Sequence, residues 1–123
     1  MRGIIVVDHG SRVGESNFLV GEVARGMMEG GGGDFLIVEA AHMELAAPTI
    51  GEAYDACVAR GADEIVVSPF FLGPGRHWTE DIPALAAEAA ARHPGTTWKL
   101  AKPLGNHPLI QHLLKVRIRE ALG

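Results

Sequence analysis

Three histidines and one glutamate stand where this chain could do chemistry: His9 in VVDHGSR, His42 and Glu44 in AAHMELA, and His77 in SPFFLGPGRHWTEDIP. Each comes just after an apolar, β-branched run, at the point where that run gives way to a loop. Neutral imidazole, with an unperturbed pKa of about 6.5, can hold a metal or take a proton near neutrality. A carboxylate adds a hard oxygen and a negative charge. Two imidazoles and a carboxylate suit a divalent first-row metal such as iron, cobalt, nickel or zinc. Here they come from separate loops, and no H-E-x-x-H helix holds them. An open site of that kind fits a metal in transit better than a structural ion.

The elements that must position these residues are legible from hydrophobic patterning. GIIVVDHG, DFLIVEAAHM and DEIVVSPFF read as strands buried on both faces, and TTWKLAKPLG as a weaker, more polar strand at an edge. Helical spacing follows each run, over Glu15–Met28, Thr49–Arg60, Thr79–Arg92 and Pro108–Leu122. Pro83 and Pro108 sit in first turns, where a missing N–H costs little. Gly30–Gly33 reads as a turn and not as a phosphate loop. The pattern is βα four times, which predicts a single α/β domain over residues 1–123: a (βα)4 unit with a four-stranded parallel sheet and helices on both faces. In such sheets ligands bind beyond the carboxyl ends of the strands. Asp8, His9, Gly10, Ser11 and Arg12 fall there after the first strand, and His42, Met43 and Glu44 after the second. Ser68, Arg76 and His77 follow the third, and Lys102, Asn106 and His107 the fourth. Four of the six histidines thus gather on one edge.

Composition narrows the classes. The chain has 123 residues, 47% of them hydrophobic and 21% charged, as expected for one ordinary globular domain. A formal charge of -4 without a lysine-rich block argues against nucleic acid. No apolar run is long enough for a bilayer span, and MRGIIVVDHG lacks the pattern of a signal peptide. The single cysteine, Cys57, allows no internal disulfide and points to a reducing, cytoplasmic setting. There is no Walker, dinucleotide or G-x-S-x-G motif. Each candidate also has a plain structural role. Asp8 can satisfy donors in the first loop, His9 can hydrogen-bond a turn, Glu44 can face a helix start, and His77 can stand ahead of an N-cap at Thr79. His93 suits a helix C-terminus without further function. Cys57, Tyr54 and Trp98 read as packing residues. A phosphate-handling domain using Asp8 lacks a lysine partner. A non-enzymatic metal or tetrapyrrole carrier would use the same residues as an enzyme, and only turnover separates the two.

Taken together, VVDHGSR…SN, AAHMELAAPTI, VVSPFFLGPGRHWTEDIP and PLGNHPLI resemble, in this order, the motifs of the small class II chelatases, the sirohydrochlorin cobalto- and ferrochelatases. The resemblance spans nearly the whole chain. AHMELA and SPFFL-PGRHW-DIP look most like the plant-type ferrochelatases, whose added iron–sulfur segment one cysteine cannot replace. The resemblance implies insertion of a divalent metal, Fe2+ or Co2+, into sirohydrochlorin without ATP and without a permanently bound cofactor. It places catalysis on His9 and His77 and a metal contact on Glu44. His42 becomes a pocket-lining candidate. The polycarboxylate macrocycle would meet Arg12 and Arg76, the N–H groups of Gly10 and Ser11, and an apolar wall of Phe70, Phe71, Leu72 and Trp78. Larger relatives fuse two such domains, which implies a homodimer for a small form.

Overall fold

The computed structural model describes residues 1–29, 37–73, 75 and 77–123, with His77 and Trp78 described by their backbone alone. Strands β1 (Arg2–Asp8), β2 (Ile37–His42), β3 (Glu64–Pro69) and β4 (Thr97–Leu100) form one sheet of order β2-β1-β3-β4, parallel throughout. Helices α1 (Gly14–Glu29), α2 (Ile50–Ala59), α3 (Ile82–Ala91) and α4 (Pro108–Leu122) alternate with the strands. The polar β4 is an edge strand, as expected. The order reverses at β1: the chain leaves it for β2 on one side and returns for β3 on the other. The loops after β1 and β3 therefore diverge, and the crevice between them is where ligands of open parallel sheets bind. The turn expected at Gly30–Gly33 and the start of the second strand, Asp34–Leu36, lie outside the described residues.

Parallel register puts partner residues on the same face of the sheet. Ile5, Val67 and Leu100 form a row on one face. There they pack with Tyr54 and Cys57 of α2 and Ile82 and Ala86 of α3 in the main core. Val38, Ile4, Val66 and Lys99 form a row on the opposite face. Val20 and Ala24 of α1 pack over its first two members, which are buried; Val66 is half-buried and Lys99 exposed. Cover on this face thus fades from β2 toward β4. β3 shows the same asymmetry along its length, with Ile65, Val67 and Pro69 buried and Val66 and Ser68 only partly so.

The helix starts have distinct chemistry. Thr49 caps α2 in a reciprocal box with Glu52, satisfying two orphan amides. Thr79, read from sequence as an N-cap, instead lies inside a π-helical turn, His77–Asp81, that runs into α3. Its hydroxyl donates back to the Gly75 carbonyl at 3.2 Å. Pro83, in the first turn of α3, has no N–H to give back to this turn. α4 starts at Pro108, with the His107 ring accepting the Leu109 amide at 3.1 Å. No residue of α4 is buried, and Leu109, Leu113, Leu114, Ile118 and Leu122 are exposed. Among the described residues no helix is long and apolar enough to cross a membrane.

Candidate functional site

The chain after β2 keeps pairing with the end of β1 and its loop for two residues past His42. Met43 N–H donates to the Asp8 carbonyl at 2.9 Å, and Glu44 N–H to the His9 carbonyl at 3.1 Å. Two loops are thereby locked side by side, and their side chains meet: His9 Nε2 lies 3.5 Å from Glu44 Oε1, both half exposed. The Phe71 and His9 rings meet in a T-shaped arrangement, with centroids 6.5 Å apart. Gly10, at φ 94°, is the hinge of this arrangement. A Cβ there would come within 1.8 Å of the Glu44 carbonyl oxygen, so only glycine lets the first loop pass so close to the second. On the far side of Glu44, Leu45 holds φ 69°, a left-handed conformation unusual for a leucine.

Asp8 and His42 sit next to this pair but face the α1 side of the sheet, in register with each other. Asp8 Oδ1 meets His42 Nδ1 at 2.6 Å. His42 is buried, the one buried polar side chain among the described residues. Asp8 therefore serves this ring and not the amides of the first loop. His42 lines a cavity of about 270 Å3 with Phe18 and Arg25 of α1 and with Pro48, separate from the His9–Glu44 contact. The side chain expected to line the substrate pocket therefore faces the α1 side of the sheet instead. Ser11 is also committed: its N–H donates to Asn17 Oδ1 at 2.8 Å, its carbonyl accepts from Asn17 Nδ2 at 2.6 Å, and its Oγ accepts the Val13 amide. The Ser11 amide expected to receive a substrate carboxylate is thus occupied inside the loop. Arg12 and Leu72 are exposed at the same edge.

A cavity of about 280 Å3 opens beside Glu44, lined by Met43, Asp81, Ala84 and Leu85. Asp81 belongs to the turn that begins at His77, so the third loop reaches the flank of the His9–Glu44 pair. The sequence reading missed Asp81. Its place four residues after His77, in the same turn, was the available signal. Among the described residues no three metal-binding side chains cluster. The expected third member of the set, the His77 side chain, lies outside the described residues, as do Arg76 and the Trp78 side chain.

The residues assigned packing roles have them. Burial, with a smaller push from the charge of Glu39, raises the Cys57 thiol to about 12. His93 Nε2–H donates to Asp55 Oδ1 at 2.6 Å and the ring stacks on Tyr54, with ring centroids 5.6 Å apart. The His93 bond, then that of Arg92, holds the Asp55 carboxyl below its ordinary value of 3.8. This cluster ties α2 to the end of α3. His107 is used as a helix cap.

The CbiX family model matches residues 3–121. The chain is 49% identical over 121 residues to the chloroplastic sirohydrochlorin ferrochelatase of Arabidopsis thaliana, covering 98% of this chain and 53% of that protein. It is 34% identical over 143 residues to the sirohydrochlorin cobaltochelatase of Methanopyrus kandleri, covering 100% and 99%. Among solved structures, SirB from Bacillus subtilis with Fe3+ superposes with a TM-score of 0.86 at 28% identity, covering 98% of this chain and 47% of that one. The chain thus spans about half the length of the Arabidopsis protein and of the Bacillus chain.

Proposed function

Because the chain belongs to the CbiX family, we propose that it is a sirohydrochlorin chelatase that inserts ferrous iron to give sirohaem. The observation that carries this reading is the facing of His9 Nε2 and Glu44 Oε1 across 3.5 Å at the switch-point crevice. Imidazole and carboxylate ligands lie about 2.0–2.2 Å from a first-row ion. Two such ligands 3.5 Å apart subtend an angle of about 115° at one ion, close to tetrahedral. An imidazole and a carboxylate, half exposed and with positions left for other ligands, hold a divalent ion without enclosing it. That is the state a metal needs if it is to be handed on.

Insertion also requires two pyrrole protons to leave as the metal enters. Glu44 keeps the site negative and attracts the cation. His9, once it releases the metal to the macrocycle, takes one proton on the nitrogen that held it. His77, on the segment after β3, is assigned the second proton on the strength of the family motif GRHW and completes the acid–base pair. Phe71 and Leu72 offer apolar surface, and Arg12 and Arg76 the charges that offset the macrocycle's carboxylates. The metal and the tetrapyrrole are both substrates, and no resident cofactor is needed. Two copies of the chain form the working unit, in a reducing cytoplasm that keeps iron ferrous.

Cobalt insertion is the second reading. The Methanopyrus relative, matched over 99% of its length, is named a cobaltochelatase, and an imidazole–carboxylate pair binds cobalt at least as well as ferrous iron. Rates with purified protein will not separate the two, because metal supply decides in the cell. The test is genetic: express the chain in a host that lacks its sirohydrochlorin ferrochelatase and depends on sulfite reduction. Growth on sulfate without cysteine supports iron. Failure there, with rescue of a strain lacking its cobaltochelatase, assigns the chain to cobalamin synthesis. A protein that binds metal and sirohydrochlorin but never speeds insertion is a carrier, and the enzyme reading fails.

A further inference from the structure

Buried polar groups are hydrogen-bonded as a rule, and in this molecule one of them is only half satisfied. His42 is 3% exposed. A carboxylate only accepts, so Nδ1 carries the proton in the 2.6 Å bond to Asp8 Oδ1. In the neutral ring Nε2 then keeps a lone pair, and among the described residues nothing donates to it. The ring lies on the α1 side of the sheet and borders the cavity of about 270 Å3 there. The unsatisfied nitrogen therefore has open volume beside it and no protein donor.

The cavity is a groove along α1. Gly14, Phe18, Gly21 and Arg25 recur at three- and four-residue spacing, so they share one helix face, about 16 Å long from Gly14 to Arg25. Ala40 of β2 lies beneath, and Ala47 and Pro48 complete the lining. A Cβ added at Gly14 or Gly21 would meet nothing within 4 Å. No neighbour requires glycine at either position, and Gly21 weakens the middle of a helix; the missing side chains leave the groove open. Asn17 also lines it, but both ends of its amide are committed to Ser11. Arg25 is exposed and forms no ion pair or hydrogen bond among the described residues. A helix joining two parallel strands runs back against them, so His42, at the carboxyl end of β2, faces the Gly14 end and Arg25 the other. The groove thus presents a hydrogen-bond acceptor at one end, a cation at the other and apolar surface between.

We propose that this groove is a second binding site, separate from the His9–Glu44 crevice, for a small hydroxy-carboxylate. The ligand's hydroxyl donates to His42 Nε2, its carboxylate pairs with Arg25, and its apolar body lies against Phe18, Ala40 and Pro48. Charge sets the orientation: Asp8 behind the ring disfavours an anion at the His42 end, and the guanidinium favours one at the other. Volume sets the size. A cavity of about 270 Å3 falls at the small end of ligand pockets and suits a molecule of about ten to twelve non-hydrogen atoms, far less than a tetrapyrrole.

The probe is para-hydroxyphenylpropionate, titrated calorimetrically into the full chain. The expected dissociation constant is about 0.1–1 mM, as for a ligand of this size. The para-methyl analogue lacks the donor and is expected to bind about tenfold more weakly. Arg25→Gln is expected to weaken the hydroxyl probe by about tenfold. Gly21→Leu, whose side chain grows into the groove, is expected to abolish binding with a melting temperature no lower than wild type. Arg12→Gln, at the crevice, is expected to leave the probe's affinity unchanged. No binding at about 10 mM, equal affinity for the two probes, or binding that survives Gly21→Leu overturns the proposal. So does a loss of affinity with Arg12→Gln in place of Arg25→Gln, which puts the probe in the macrocycle site.

Discussion

Replacing Gly10 by alanine tests whether the site depends on the backbone lock between the first two loops. The added Cβ would stand 1.8 Å from the Glu44 carbonyl oxygen, where ordinary contact begins at 3.4 Å. Glu44 and Gly10 must separate by about 1.6 Å, and misplacement of about 1 Å at a reacting group can cost about 100-fold in rate. The positive φ adds strain of about 1–2 kcal/mol for a residue with a side chain. That leaves a domain of ordinary stability, about 5–15 kcal/mol, still folded. The expected result is a loss of at least about 100-fold in insertion of Co2+ or Fe2+ into sirohydrochlorin, followed by absorbance under anaerobic conditions, with a lowered but cooperative melt. Gly26→Ala is the reference: nothing lies within 4 Å of its added Cβ, and within exposed helix it gains about 0.5–1 kcal/mol with no change in rate. A folded Gly10→Ala protein that inserts metal at the wild-type rate refutes the argument that this lock sets the His9–Glu44 geometry.

Four further outcomes are expected. His77→Ala abolishes insertion while shifting stability by no more than about 1 kcal/mol, and His93→Ala leaves insertion unchanged; full activity of the first removes His77 from the mechanism. Asp55→Ala lowers stability by up to about 1 kcal/mol, since the pair is half exposed. Its carboxyl is depressed in the fold, so that contribution is complete above 3.8 and disappears as pH falls through the lowered value; melts of wild type and variant should converge in acid. Asp8→Ala strands the buried His42 ring and costs about 1–3 kcal/mol, read by urea titration; a loss below that range would mean the ring finds water. Cys57 should not react with a thiol reagent in the native protein and should react fully in denaturant.

The sheet and all four helices were legible because each βα unit carries its own apolar run and its own punctuation. The Pro108 start and the weak β4 were readable one residue type at a time. β2 was less so: it is an edge strand, yet α1 and α2 cover it on both faces, and its sequence therefore reads like a central one. The π-helical turn was missed because periodicity does not distinguish a turn with one more residue from a helix that starts later. His9 and Glu44 were grouped because both stand just past the carboxyl end of a strand; that their strands are adjacent came from the structure. The Asp8–His42 bond was not, since alternation tells which face a residue takes but not which partner it meets there. The openness of the α1 side was hidden in the same way. Val66 and Lys99 look ordinary in sequence, and only the structure shows Val66 half-buried at the margin of the α1 cluster and Lys99 exposed.

The turn at His77–Asp81 ties the place of a histidine to a count of residues. A π turn accommodates one residue more than an α turn in the same span. Loss of a single exposed residue there, Thr79 or Glu80, would let the segment close as continuous α-helix with α3. The backbone at His77 would then swing by about 100° around the helix axis and draw in by about 1.5 Å. A one-codon deletion would thus keep the histidine, the helix and the core, and aim the histidine somewhere else. Among homologous genes, length in this short stretch should be held more strictly than the identity of the residues that fill it.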